Sequence, residues 1–167
     1  MSMQTWTTYA YGVREDDIDK ISIATIWPIF QNIMRAENEG KFDEALSEFC
    51  EDGGFAIEEL NDDNIDEFIR LYYENNFDRV CTHSTALVLA ELVARNMRID
   101  FNDVITETNE DGQTLVGIGL YYPWQLPDVL KNAEQEDYEA AFINAFAILG
   151  IDGHYCDISE QSLEDWG

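Results

Sequence analysis

The chain has 167 residues, 46% hydrophobic and 13% aromatic, with 35 acids against nine lysines and arginines and a formal net charge of −26. That length suits one domain, and the apolar content can fill a core, which excludes intrinsic disorder despite the charge. Direct binding to nucleic acid or to an anionic membrane surface is excluded as well, because both draw on clustered cations, and the nine bases here are scattered from Arg14 to Lys131.

Thr5 to Val13, rich in aromatic and β-branched residues, reads as a first strand. The acids Glu15, Asp16 and Asp17 end it. Ile26, Ile29, Phe30, Ile33 and Met34 then repeat at helical spacing. Pro28 is tolerated only in a first turn, so this helix is expected to start near Thr25 as its N-cap. Lys41 to Glu51 predicts a second amphipathic helix, stopped by Gly53-Gly54. Asn61 or Asp62 can cap a third, with Ile65, Phe68, Ile69 and Tyr72 inward. Ser84 to Arg98 has almost no polar face and is expected to be the buried central helix.

Ile99–Thr108 and Gln113–Tyr122 predict two strands of a hairpin around Glu110-Asp111-Gly112. A last helix is expected over Glu134–Leu149, with Gly150 suited to its C-terminal cap. His154–Ser159 reads as a short final strand, and Glu160–Gly167 as a loose acidic tail. The expectation is one α+β domain over residues 1–167, with about five helices covering one face of a small, mostly antiparallel sheet.

Cys50, Cys81 and Cys156 are an odd number. Met1–Val13 has neither the basic nor the apolar stretch of a secretory signal, and no run approaches the roughly 20 apolar residues of a membrane span. A reducing cytoplasm is therefore the expected compartment.

Few motifs carry chemistry. Cys81-Thr-His83 and His154-Tyr-Cys156 could each present two ligands on one side of an extended segment, together a Cys₂His₂ zinc site. Their spacings differ from those of common zinc modules, and buried thiols usually behave as small apolar groups. As a Cys–His nucleophile the pair lacks an activating context, and a strongly negative field raises a thiol's pKa. Asn61–Glu67 has many oxygens but no EF-hand spacing. Gly117-Ile118-Gly119 lies in a strand and lacks the third glycine of a dinucleotide fingerprint. Neither cofactor nor catalytic residue is indicated.

Charge distribution says more. Between Glu37 and Asp78 stand fifteen acids and two bases, Lys41 and Arg70; from Asn132 onward stand nine acids and no lysine or arginine. Glu44, Glu48 and Glu51 on one helix, Glu58 and Glu59 beyond it, and Asp62, Asp63, Asp66 and Glu67 on the next are expected to form rows of carboxylates. Such rows suit a basic partner surface, in particular a channel built to hold nucleic acid. The plain alternative is a solvated acidic coat that serves solubility. Tyr121-Tyr122-Pro123-Trp124 either closes a strand onto the last helix or exposes Tyr122 and Trp124 as interface anchors, with a homodimer as one outcome.

Tyr9, Tyr11 and Gly12 followed by Asp16-Asp17-Ile18, the run Tyr122-Pro123-Trp124-Gln125-Leu126-Pro127, and an acidic helix before Asp157-Ile158 together resemble a group of small acidic proteins of phages and mobile elements of gut bacteria. The resemblance implies a setting of conflict between mobile elements and hosts, where anti-CRISPR and anti-restriction inhibitors occupy nucleic-acid channels as DNA mimics. Two further readings stay open: an acidic accessory protein without mimicry, and a small zinc protein.

Overall fold

The computed structural model describes residues 5–119 and 135–166. Its elements run β1 (Thr5–Arg14), α1 (Glu15–Ile18), α2 (Ile23–Asn38), α3 (Lys41–Gly53), α4 (Asp62–Phe77), α5 (Ser84–Met97), β2 (Val104–Thr108), β3 (Thr114–Gly119), α6 (Gln135–Ile148) and β4 (Ser159–Trp166). Short 3₁₀ turns occupy Ile57–Glu59, Phe101–Asp103 and Gly153–Tyr155. Among the described residues the four strands form one antiparallel sheet in the order β2-β3-β1-β4. The chain is α+β, as its element order implied.

Alternation along the strands divides the sheet's faces. Tyr11, Val13, Val104, Val116 and Ile118 join the main core beneath the helices, while Ala10, Leu115 and Leu163 form a smaller cluster on the other face. That second face coils inward. Thr8 Oγ1 on β1 donates to Glu107 Oε2 on β2 (2.7 Å) although β3 lies between the two strands, and Asn109 Nδ2 donates to the Glu164 carbonyl (2.8 Å). Gly12 and Gly117 face each other in register. A Cβ on Gly12 would lie 2.0 Å from the Val116 oxygen, so this tight approach of β1 and β3 requires glycine.

α5 is the central helix: every residue from Ala86 to Ala94 is buried. α2 and α4 pack beside it, and α3 is joined to them by a network of rings in which Phe30, Phe42, Phe68 and Tyr72 meet at centroid separations of 5.6–6.2 Å. α6 lays Tyr138, Ala141, Phe142, Ala145 and Phe146 into the same core. It ends as expected at Gly150, in the left-handed region (φ +79), where Ile151 N donates to the Phe146 carbonyl (2.8 Å).

Several boundaries differ from expectation. α2 begins at Ile23 with Ser22 as N-cap, its Oγ accepting from Thr25 N (3.2 Å), so Pro28 lies inside the helix. The proline costs only the bond to the carbonyl of Ala24, and both residues sit on the exposed side. The first hairpin strand starts later, at Val104 and not at Ile99. Asp100 caps a 3₁₀ turn before β2, and Asn109 organises the tip, its Oδ1 accepting from Asp111 N (3.1 Å) and Gln113 N (3.0 Å) with Gly112 at φ +80. Residues 120–122, expected to extend the second strand, lie outside the described residues.

His154–Ser159 is not the final strand. Asp152 accepts from His154 N (3.0 Å) and opens a 3₁₀ turn there instead. The strand is Ser159–Trp166, the segment expected to be loose. It pairs with β1 from Gly12↔Ser159 to Thr5↔Trp166. Among the described residues β3 pairs with Ala10–Arg14, and β4 follows β1 from Gly12 to Thr5. No helix among the described residues is long and apolar enough to cross a membrane.

Candidate functional site

α3 and α4 lie side by side on the outside of the helical layer, joined by the 3₁₀ turn. Each is amphipathic. Phe42, Leu46 and Cys50 of α3 and Ile65, Phe68, Ile69, Tyr72 and Tyr73 of α4 point inward, which leaves the acids of both helices outside. Eleven acids and no base stand between Lys41 and Arg70. Glu44, Glu48, Glu51, Glu58, Glu59, Asp62, Asp63 and Glu67 are all exposed. Ion pairs among the described residues involve none of the eight; five of the bases pair with other acids. Arg14 meets Glu15 at 3.5 Å, Lys20 meets Asp17 at 2.8 Å, Arg35 meets Asp43 at 3.1 Å, and Arg95 pairs with Glu37 and Glu91. Arg79 is turned inward, donating to the Val104 carbonyl (2.8 Å) over the Phe101 ring.

Asp66 does not belong to this face. Its Oδ1 accepts from Ser84 Oγ (2.5 Å) and Ser84 N (3.3 Å), and its Oδ2 from Arg70 Nε (2.8 Å). His83, the N-cap residue of α5, makes no side-chain cap bond, so Asp66 caps that helix from its neighbour α4. It is a structural acid. Glu59 combines both roles: exposed, it also reaches back to accept from Ala56 N (3.1 Å).

The placement of the acids runs partly against helix stability, although Asp43 and Glu44 in the first turn of α3 meet the favourable end of the dipole. The last turn of α3 carries Glu51 and Asp52 with no base, where the helix dipole favours a cation by about 0.3–1 kcal/mol per group. Glu44, Glu48 and Asp52 follow one another at i, i+4, a like-charge spacing that costs about 0.2–0.5 kcal/mol per pair. At the start of α4, Asp62 and Asp63 meet the favourable end of the dipole.

The possible metal or nucleophile set does not assemble. Among the described residues no group of three or more His, Cys, Asp or Glu is placed to hold a metal ion. Cys81 is buried with its Sγ 3.9 Å from Thr108 Oγ1, His83 is half-buried, exposed His154 bonds to Asp152 Oδ1 (2.8 Å), and Cys156 sits near Asp17. Burial pushes the Cys81 thiol up. Burial first, and Asp17 next, push Cys156 to about 11. Thiols so held are poor nucleophiles at neutral pH. Tyr122 and Trp124 lie outside the described residues.

A depression of about 530 Å³ beside β1 collects Glu15, Asp16, Asp17 and Asp157. Two of these acids hold the fold together. Glu15 Oε2 accepts from Thr114 N (3.2 Å), and Asp17, only 6% exposed, accepts from Lys20 Nζ (2.8 Å) and Asp157 N (3.0 Å). A second hollow, of about 210 Å³, lies between α3 and α4, inside the anionic face, and could be found only from the fold. No protein-family model, curated protein or solved structure matches the chain.

Proposed function

We propose that the protein is a non-enzymatic inhibitor that presents its α3–α4 face to the basic, nucleic-acid-binding groove of a host defence nuclease, as a DNA mimic does. A CRISPR effector is the partner class that the sequence resemblance suggests. One observation carries the reading: eight exposed carboxylates without ion pairs stand together on two packed helices and the turn between them, some at positions that cost helix stability. Successive helical turns repeat every 5.4 Å or so. Carboxylates one turn apart thus form a line of fixed negative charge, as phosphates do along a nucleic-acid strand. A solvated coat serving solubility alone has no need to concentrate acids where they repel one another.

The test is competition. A basic nuclease captured from host lysate is expected to release duplex DNA or guide RNA when this protein is added. Raising salt from about 50 to about 200 mM is expected to weaken the complex at least tenfold, as it does for multi-phosphate contacts. Reversing Glu44, Glu48, Glu58 and Asp62 to lysine should abolish competition while the circular dichroism spectrum is retained. Binding that ignores salt, or a ternary complex with DNA still in the groove, would overturn the proposal.

A further inference from the structure

The hollow between α3 and α4 has a simple origin. Ala45, Glu48, Phe49 and Asp52 form one stripe of α3, and they face a stripe of α4 that contains Phe68, Leu71 and Tyr72. The Phe49 and Phe68 rings meet at 5.3 Å and close the floor. Above that floor the small Ala45 leaves a gap that a larger aliphatic side chain would fill, and Leu71 stands in the wall 37% exposed. The volume of about 210 Å³ exceeds the roughly 150 Å³ apolar cavity that accommodates benzene. It falls below the roughly 300 Å³ at which drug-sized ligand sites begin. It matches one bulky side chain.

Charge indicates what carries that side chain. Glu48 and Asp52 stand on the rim, Glu44 and Glu51 lie on the same helix, and no lysine, arginine or histidine lines the hollow. The cleft's polar lining includes the acids Glu48 and Asp52 with the neutral amides Asn75 and Asn76, so its only charges are negative; it repels an acidic segment and attracts one in which a large apolar residue is flanked by cations. We propose that this cleft is an anchor pocket for a basic partner segment, into which one aromatic or large aliphatic side chain inserts while neighbouring lysines or arginines meet Glu48 and Asp52. The inference rests on the inhibitor reading above and adds a point of specificity to it. Electrostatic attraction brings the partner to the face, and the buried side chain fixes the register.

The experiment uses two synthetic lysine-rich helical peptides, identical except for Trp or Ala at the central position, titrated against the full-length protein. Wild type is expected to bind the Trp peptide about tenfold or more tightly than the Ala peptide, the signature of a buried anchor. Ala45→Leu fills the cleft with a good helix former and is expected to erase that preference while leaving the Ala peptide's affinity unchanged. Leu71→Gln, at a partly exposed position, is expected to weaken only the Trp peptide. If both peptides bind wild type equally and salt-sensitively, the anchor pocket is refuted and the electrostatic reading stands. A Trp preference that survives Ala45→Leu also refutes the pocket. If neither peptide binds at low salt, the anionic face itself attracts no basic segment, and both proposals fall.

Discussion

Glu91 is the residue whose environment conflicts most with its chemistry. It is 5% exposed on α5, Arg95 Nε stands 3.5 Å from its Oε1, and its Oε2 has no hydrogen-bond partner among the described residues. The Tyr73 hydroxyl on α4, fully buried, is equally unpartnered. Burial pushes the Glu91 carboxyl up, and Glu37 and Asp100 add to this, against Arg95. A carboxylate whose folded pKa is raised takes up its proton more readily folded than unfolded. Its contribution is therefore most favourable below the ordinary value of about 4.3, and is lost as pH rises through the raised value. Glu91→Gln keeps an acceptor for Arg95 and removes this loss. Urea midpoints should show the variant more stable than wild type at pH 7 and close to it near pH 4. A gap independent of pH would refute the assignment.

Asp66 shows at the same scale what a single residue in a sequence conceals. It stands in an acidic run indistinguishable from its neighbours Asp62, Asp63 and Glu67. Only the approach of Ser84, eighteen positions away, makes it the cap of a different helix. The opposite holds at Gly117. The Gly-Ile-Gly pattern that fails as a cofactor fingerprint has a structural use, as the glycine opposite Gly12 where the sheet coils.

Among the elements, those with strong periodicity or a strong apolar bias were legible. α5 is apolar on nearly every side and buried on nearly every side, and α3, α4 and α6 carry their core residues at helical spacing. β4 was not legible. Ser159–Trp166 offers the buried Leu163 among acids and polar residues, and its pairing is supplied by the backbone of β1, over 140 residues earlier in the chain. The acidic rows of α3 and α4 were legible by composition, and the cleft between them was not, since it depends on which stripes the two helices turn toward each other. α3 supports a prediction of its own. Replacing Glu51 and Asp52 by lysine places cations at the helix C-terminus and should raise stability by about 0.3–1 kcal/mol per site in chemical denaturation. The same change should weaken partner binding. If stability falls, or binding survives, these acids are not kept for a partner at the expense of the helix.

For the whole molecule, a net charge of −26 means that folding draws repelling groups together. Screening length shrinks from about 30 Å at 0.01 M salt to about 10 Å at 0.1 M, so added salt relieves that repulsion. Tm is expected to rise by several degrees over this range, about 2–4 °C accompanying each kcal/mol at this chain size. Partner binding is expected to weaken over the same interval, so thermal melts and binding titrations should move in opposite directions. A Tm that does not change with salt would mean that the charges are too far apart to oppose folding.

The pairing of Thr5 with Trp166 also sets an order of events in time. Of the elements described, β1 leaves the ribosome first and cannot acquire β4 as its neighbour until all the others have been made. Closing so long a loop costs only about 0.6 kcal/mol more for each doubling of its length, but the search for so distant a partner is slow. The helices and the β2–β3 hairpin can assemble beforehand, and β4 then docks as the closing step along an edge that has waited open. On unfolding, that same seam is the natural place for the structure to part first.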